Sequence, residues 1–197
     1  LNKMKFFYFL LMTVTVSCAV GTKKGDKYYK EKSYKKAIIA YSNYLNRHKP
    51  TVLALYQRGR SYEEIGEYKN ALMDFQKILE LDKKNIIAQT SIAKVKYELG
   101  YYEEAVLAAQ KAVEWNPDFA QSHFWLAKGA HQMGYFKDAL KSYGMAIKLN
   151  PDYGDAFYYR GALKISMEEI KSACLDFNYA KRLKVKGSSI AKKKYCS

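Results

Sequence analysis

The sequence predicts an all-α protein built from stacked helix pairs, and three observations carry that prediction. A spacing of 34 residues recurs through most of the chain. Within each period apolar residues fall at 0, +4 and +7, which is one face of an α-helix. The 197 residues include only 3 prolines and 11 glycines, too few for a turn-rich all-β fold. At 49% hydrophobic residues the chain can bury a sizeable core as one or two domains. Its mean hydropathy of -0.41 excludes a polytopic membrane protein.

Taken in order, the first element is an address segment. Lys3 and Lys5 precede an uncharged run from Phe6 to Val20 that ends in small residues, the pattern of a secretory signal peptide. The run is shorter than the roughly 20 apolar residues of a membrane-spanning helix, so a permanent span is the weaker reading. Val14-Thr15-Val16-Ser17-Cys18 resembles the bacterial lipobox, although Thr15 stands where leucine is usual. That resemblance implies a signal peptide over residues 1–17 and a mature chain beginning at a diacylated Cys18. The alternative is plain secretion, with Ser17-Cys18-Ala19 as a small-x-small site cleaved after Ala19.

The repeat follows. Ala37, Ala71, Ala105, Ala139 and Ala173 are each 34 residues apart. Three residues earlier stand Tyr34, Tyr68, Tyr102, Phe136 and Ile170, and four residues later Tyr41, Phe75, Ala109, Tyr143 and Phe177. These mark the second helix of each pair. The first helix is marked twelve residues before each alanine by Gly25, Gly59, Ala93, Ala127 and Gly161, whose small size permits close helix approach. Gly66, Gly100 and Gly134 separate the two helices of a pair, and Pro117 and Pro151 follow the end of a pair because a pre-proline residue leaves the α region.

This pattern resembles the tetratricopeptide repeat. The resemblance implies a right-handed superhelical solenoid of five helix-turn-helix repeats, over residues 18–51, 52–85, 86–119, 120–153 and 154–187. Residues 188–197 are left as a basic C-terminal capping helix with Ile190 and Tyr195 facing inward. The pattern departs at Tyr44, Lys49, Lys83, Glu168 and Ile170, where small residues, proline, glycine and tyrosine are usual. One helix pair cannot bury its apolar face alone, so stability comes from neighbours stacking. The recurring aromatics of the second helices are therefore read as core.

In such solenoids the first helix of each repeat lines the concave groove. By register, the resemblance assigns a peptide-binding groove to Tyr56, Arg60, Thr90, Lys94, Tyr97, Phe124, Lys128, His131 and Tyr158. Arg60, Lys94 and Lys128 are 34 apart. They are expected to form a cationic ladder flanked by aromatic rings, suited to an extended peptide with acidic and apolar side chains. The paired Lys and Asn of the two-carboxylate clamp used by chaperone-binding relatives are missing, since Thr22, Asp26, Tyr56 and Arg60 occupy those places.

Catalytic signatures are absent: there is no G-x-S-x-G, H-E-x-x-H or G-x-x-x-x-G-K-[ST] motif. His48, His123 and His131 are too scattered to ligate a metal, and neither metal nor cofactor is expected. Cys174 and Cys196 form a candidate disulfide, because export places them in an oxidising compartment and the capping helix folds back over the fifth repeat.

The net charge of +15 sits at the two ends. Residues 23–49 carry nine basic side chains against Asp26 and Glu31, and residues 181–197 carry seven against none. Next to a lipid anchor, the first cluster favours an anionic leaflet; the second is read as a solubilising cap. The expected function is a membrane-anchored periplasmic scaffold or adaptor that binds a protein or peptide partner in its groove. It resembles envelope lipoproteins of this repeat class that act in envelope, pilus or secretion assembly. The alternative is a secreted, non-lipidated accessory module of an enzyme or sensory system. A signal peptide argues against nucleic acid as partner.

Overall fold

The computed structural model describes residues 22–196. The address segment, Cys18 and Ser197 lie outside the described residues. Every regular element among the described residues is a helix. In chain order these are α1 (residues 22–30), α2 (Tyr34–Leu45), α3 (Val52–Glu64), α4 (Tyr68–Leu81), α5 (Ile86–Glu98), α6 (Tyr102–Trp115), α7 (Ala120–Gln132), α8 (Phe136–Leu149), α9 (Gly154–Ser166), α10 (Ile170–Arg182) and α11 (Ser188–Tyr195). None is long and apolar enough to cross a membrane. They fall into two compact units, one ending at Lys83 and one starting at Lys84.

In three of the pairs the second helix carries one bulky ring onto a glycine of the first, Tyr41 on Gly25, Phe75 on Gly59 and Phe177 on Gly161, while the third pair has the small Ala109 at the ring position. A Cβ added to Gly25 would lie 2.5 Å from the Tyr41 ring, and one added to Gly59 would lie 2.7 Å from Phe75. The close approach expected at these small positions is therefore ring against helix, within one pair. Tyr41, Phe75, Tyr143 and Phe177 are fully buried or nearly so, and each contributes on the order of 2 kcal/mol by leaving water. The earlier aromatics Tyr34, Tyr68 and Tyr102 are only half-buried. They cover the turn; Tyr29 and Tyr34, for example, meet edge to face at 5.5 Å.

Turn chemistry sets the ends. Residues 32, 66, 100, 134 and 168 all have positive φ, which reverses the chain in the left-handed region. Between pairs, Asn116 and Asn150 are extended (ψ 99° and 94°), as pre-proline residues must be. Their side chains also accept the backbone N–H of Asp118 and Asp152. Asp82 adopts the same extended cap without a following proline. The α3 and α5 starts are capped by Thr51 Oγ1, accepting from the Ala54 N–H, and Asn85 Oδ1, accepting from the Ala88 N–H.

Within the second unit α5 packs on α7 and α7 on α9, while each second helix packs against the first helices beside it. The first helices thus form one continuous face of this unit. At its end α11 docks on α10. The sequence expectation for its inner residues is corrected here: Ile190 is 75% exposed and Tyr195 lies at the margin, while Ser188 and Ala191 are buried. The Ser188 hydroxyl donates to the Val185 carbonyl at 2.6 Å, and Ala191 packs with Ala173 and Phe177 of α10.

Candidate functional site

Residues from three first helices of the second unit converge on Lys128 of α7. Its ammonium nitrogen stands 3.9 Å from the ring centre of Tyr159 (α9), 4.4 Å from that of Tyr97 (α5) and 5.6 Å from that of Trp125, one turn earlier on α7. Only 8% of the residue is exposed. Aromatic faces attract a cation through the ring quadrupole, so the three rings hold the ammonium on the face formed by α5, α7 and α9. Among the described residues no carboxylate pairs with it.

The neighbours of this cage are largely committed to packing. Phe124 is buried in the core cluster of α7, α8 and α9, against Tyr143, Tyr153 and Tyr159. Thr90 is buried, and its hydroxyl shares a 2.8 Å hydrogen bond with Ser122. His131 meets Phe136 and Tyr143 edge to face. Burial, with the Lys128 charge adding to it, holds its imidazole below the ordinary value. The Tyr143 hydroxyl is buried without a hydrogen-bond partner among the described residues, and burial pushes its ionisation up. Tyr158 belongs to the far end, 5.9 Å from Phe177 and beside Gly187.

The three residues expected to form the cationic ladder stand in different surroundings. Arg60 is in the first unit, where its guanidinium pairs with Glu63 at 3.2 Å and Glu64 at 3.6 Å along α3. Glu63 is itself buried, and its charge, together with the Tyr29 hydroxyl, raises the Arg60 pKa against desolvation, the largest effect there. Tyr56 tilts onto the Phe75 core ring at 5.9 Å. Lys94 is half-buried. The three basic residues share a register position and have three different environments.

Other singled-out residues are structural. His123 Nε2 meets the Pro117 carbonyl at 2.8 Å, and His48 stacks on Tyr44. Among the described residues no group of three His, Cys, Asp or Glu side chains could hold a metal ion. Cys174 and Cys196 are joined by a disulfide, with Cα atoms 5.6 Å apart.

A tetratricopeptide repeat family model matches residues 52–85 and 88–119. No curated protein sequence matches the chain. Among solved structures the chain is similar to TTC0263, a thermophilic TPR protein of Thermus thermophilus, with a TM-score of 0.74 at 18% identity over 89% of this chain and 95% of that one. It is also similar to MamA from Desulfovibrio magneticus RS-1 (TM-score 0.70, 19% identity, 81% and 90% covered). A third likeness is to YrrB, described as a TPR protein with an unusual peptide-binding site (TM-score 0.63, 22% identity, 86% and 88% covered). At these identities the solved structures show the fold.

The chain carries tetratricopeptide repeats and has their fold. Its repeat register explains which site residues escaped the sequence reading. Trp125 and Tyr159 occupy equivalent positions of successive tetratricopeptide repeats, yet neither belongs to the set assigned to the groove. Tyr97, Lys128 and Tyr159 are spaced by 31 residues, one helical turn less than the repeat. Contacts between neighbouring first helices run along this diagonal, and an aromatic-Lys-aromatic series at 31 is the signal that could have found them.

Proposed function

We propose that this tetratricopeptide repeat protein is a non-catalytic, membrane-anchored scaffold of the bacterial envelope. It faces the periplasm and holds an extended segment of a protein partner on the face formed by α5, α7 and α9. The observation that carries the reading is the convergence of Tyr97, Trp125, Lys128 and Tyr159 from three helices onto that face. Aromatic side chains contribute large contact area at low entropic cost, and a positive group among them selects orientation. YrrB, a protein of this fold, is described by its peptide-binding site, which agrees with the reading.

The anchor rests on the lipobox-like run ending at Cys18. The first unit supports it: a cavity of about 500 Å³ there is lined by Lys24, Lys36, Arg47 and His48, with Tyr28 and Tyr44, and no carboxylate is among its described lining residues. A surface of that sign gains about 1 kcal/mol per basic residue near an anionic leaflet. A role in envelope, pilus or secretion assembly follows from an anchored scaffold of this kind.

Two measurements test the proposal. The mass of the mature N-terminus should report an acylated Cys18; a chain beginning at Val20 would replace the anchor with the secreted alternative. A photo-crosslinking residue at Tyr97 should capture one protein in the native envelope, whereas the same residue at exposed Leu107 on α6 should not.

A further inference from the structure

We infer that Lys128 is the anchor for a single carboxylate of the bound partner, an aspartate or glutamate side chain flanked by apolar residues. The inference rests on the reading of this face as a peptide site and adds its chemistry. A buried charge is normally paired, because desolvation costs an isolated ammonium far more than packing returns. Lys128 breaks that rule: it is 8% exposed, its ammonium faces three rings, and among the described residues no carboxylate pairs with it. Rings satisfy part of the charge electrostatically but accept no strong hydrogen bond from its three N–H groups. The nearest titratable side chain on the same helix is His131, an imidazole that carries no negative charge in either protonation state, so it supplies no counter-charge.

The surroundings define what fits. Tyr97 and Tyr159 stand on the helices either side of α7, so an incoming carboxylate meets the ammonium between two rings. Its flanking residues then lie on aromatic surface. A phosphate would bring a second negative charge against one cation and three apolar rings, whereas a carboxylate matches the charge one for one. This is a one-lysine receptor, unlike a clamp in which several basic and amide side chains from different repeats grip two carboxylates.

Two heptapeptide libraries provide the probe, X3-Glu-X3 and X3-Gln-X3, acetylated and amidated, with X drawn from non-acidic residues. They are passed over the immobilised full chain and over its K128M variant. The wild type should retain the glutamate pool at least about tenfold better than the glutamine pool, the ratio expected of one charge-assisted hydrogen bond in a dry site. In K128M that preference should fall to about unity, while the melting temperature stays level or rises by about 2–4 °C, because a buried charge has been replaced by an apolar chain of similar length. Stability gained while binding is lost would mark the lysine as kept for its ligand.

Equal retention of the two pools by the wild type would overturn the carboxylate site and leave peptide binding standing. A glutamate preference that survives in K128M would also overturn it, since another basic residue would then be responsible. K128M melting several degrees lower would identify Lys128 as a structural tie and likewise overturn the inference. Retention of neither pool by the wild type, together with no crosslink from position 97, would overturn the peptide reading as well.

Discussion

Residues 32, 66, 100, 134 and 168 share one left-handed conformation, with φ between 56° and 82°, but Lys32 and Glu168 fill it with side chains where the other three are glycine. An L-residue there costs about 1–2 kcal/mol, offset in part by the larger entropy that glycine loses on folding. Glu168→Gly should therefore stabilise the protein by up to about 1 kcal/mol, and Gly100→Ala should destabilise it by about 1 kcal/mol or more. Urea denaturation midpoints at a fixed slope check both. His131 makes a second residue-scale prediction. Its folded pKa lies below the ordinary imidazole value of 6.5, so it favours the native state when neutral. That contribution is complete above about pH 6.5 and is lost as the pH falls through the folded value. Stability should decline between pH 7 and pH 5, and His131→Gln should flatten the decline in urea midpoints taken across that range.

Between helices, the strongest polar ties are two matching pairs that the sequence reading missed. Arg58 of α3 grips Asp74 of α4 with hydrogen bonds of 2.8 and 2.6 Å, and Arg160 of α9 grips Asp176 of α10 at 2.9 and 2.6 Å. The first pair is reinforced by Ser42 and the second by Lys164, whose ammonium is 2.8 Å from Asp176. The hydrogen bond to Asp74 raises the Arg58 pKa against desolvation. Asp176→Ala would strand two largely buried cations and should cost about 3 kcal/mol, while replacing Arg160 by Met and Asp176 by Leu together should cost much less. A double-mutant comparison of urea midpoints decides this; equal losses would show that the pair is not acting as a unit. What was legible in the sequence follows the same division. Apolar period, glycine turns and asparagine-proline ends are local signals, and they gave the helices. The expected ladder did not reveal this cage, because Lys128 touches Tyr97 and Tyr159 at a spacing of 31, one turn short of the repeat. Whether a lysine in register is ion-paired like Arg60 or caged like Lys128 depends on side chains from other helices, which period alone does not report.

At the scale of the whole molecule, a stack of repeats has no central core, and each repeat is held by its neighbours, so the last element has the least support. Here that element is α11, 8 residues long with three lysines in its last turn and no partner beyond it among the described residues. A helix this short is unstable alone. Its docking rests on buried Ser188 and Ala191, on Tyr195 stacked 6.4 Å from Phe177, and on the Cys174–Cys196 bridge. Closing a 22-residue separation contributes about 3 kcal/mol, more than the two small buried residues supply. Reduction, or Cys196→Ser, should therefore release α11 and expose Phe177 and Tyr158 while the earlier repeats stay folded. Limited trypsin digestion should cut at Lys192, Lys193 and Lys194 at least tenfold faster after reduction, by the ratio that about 1.4 kcal/mol of lost docking produces, while sites in α5 to α8 keep their protection. An α11 that remains resistant with both thiols free would show that the ring stack holds the cap, and that the bridge only limits its motion.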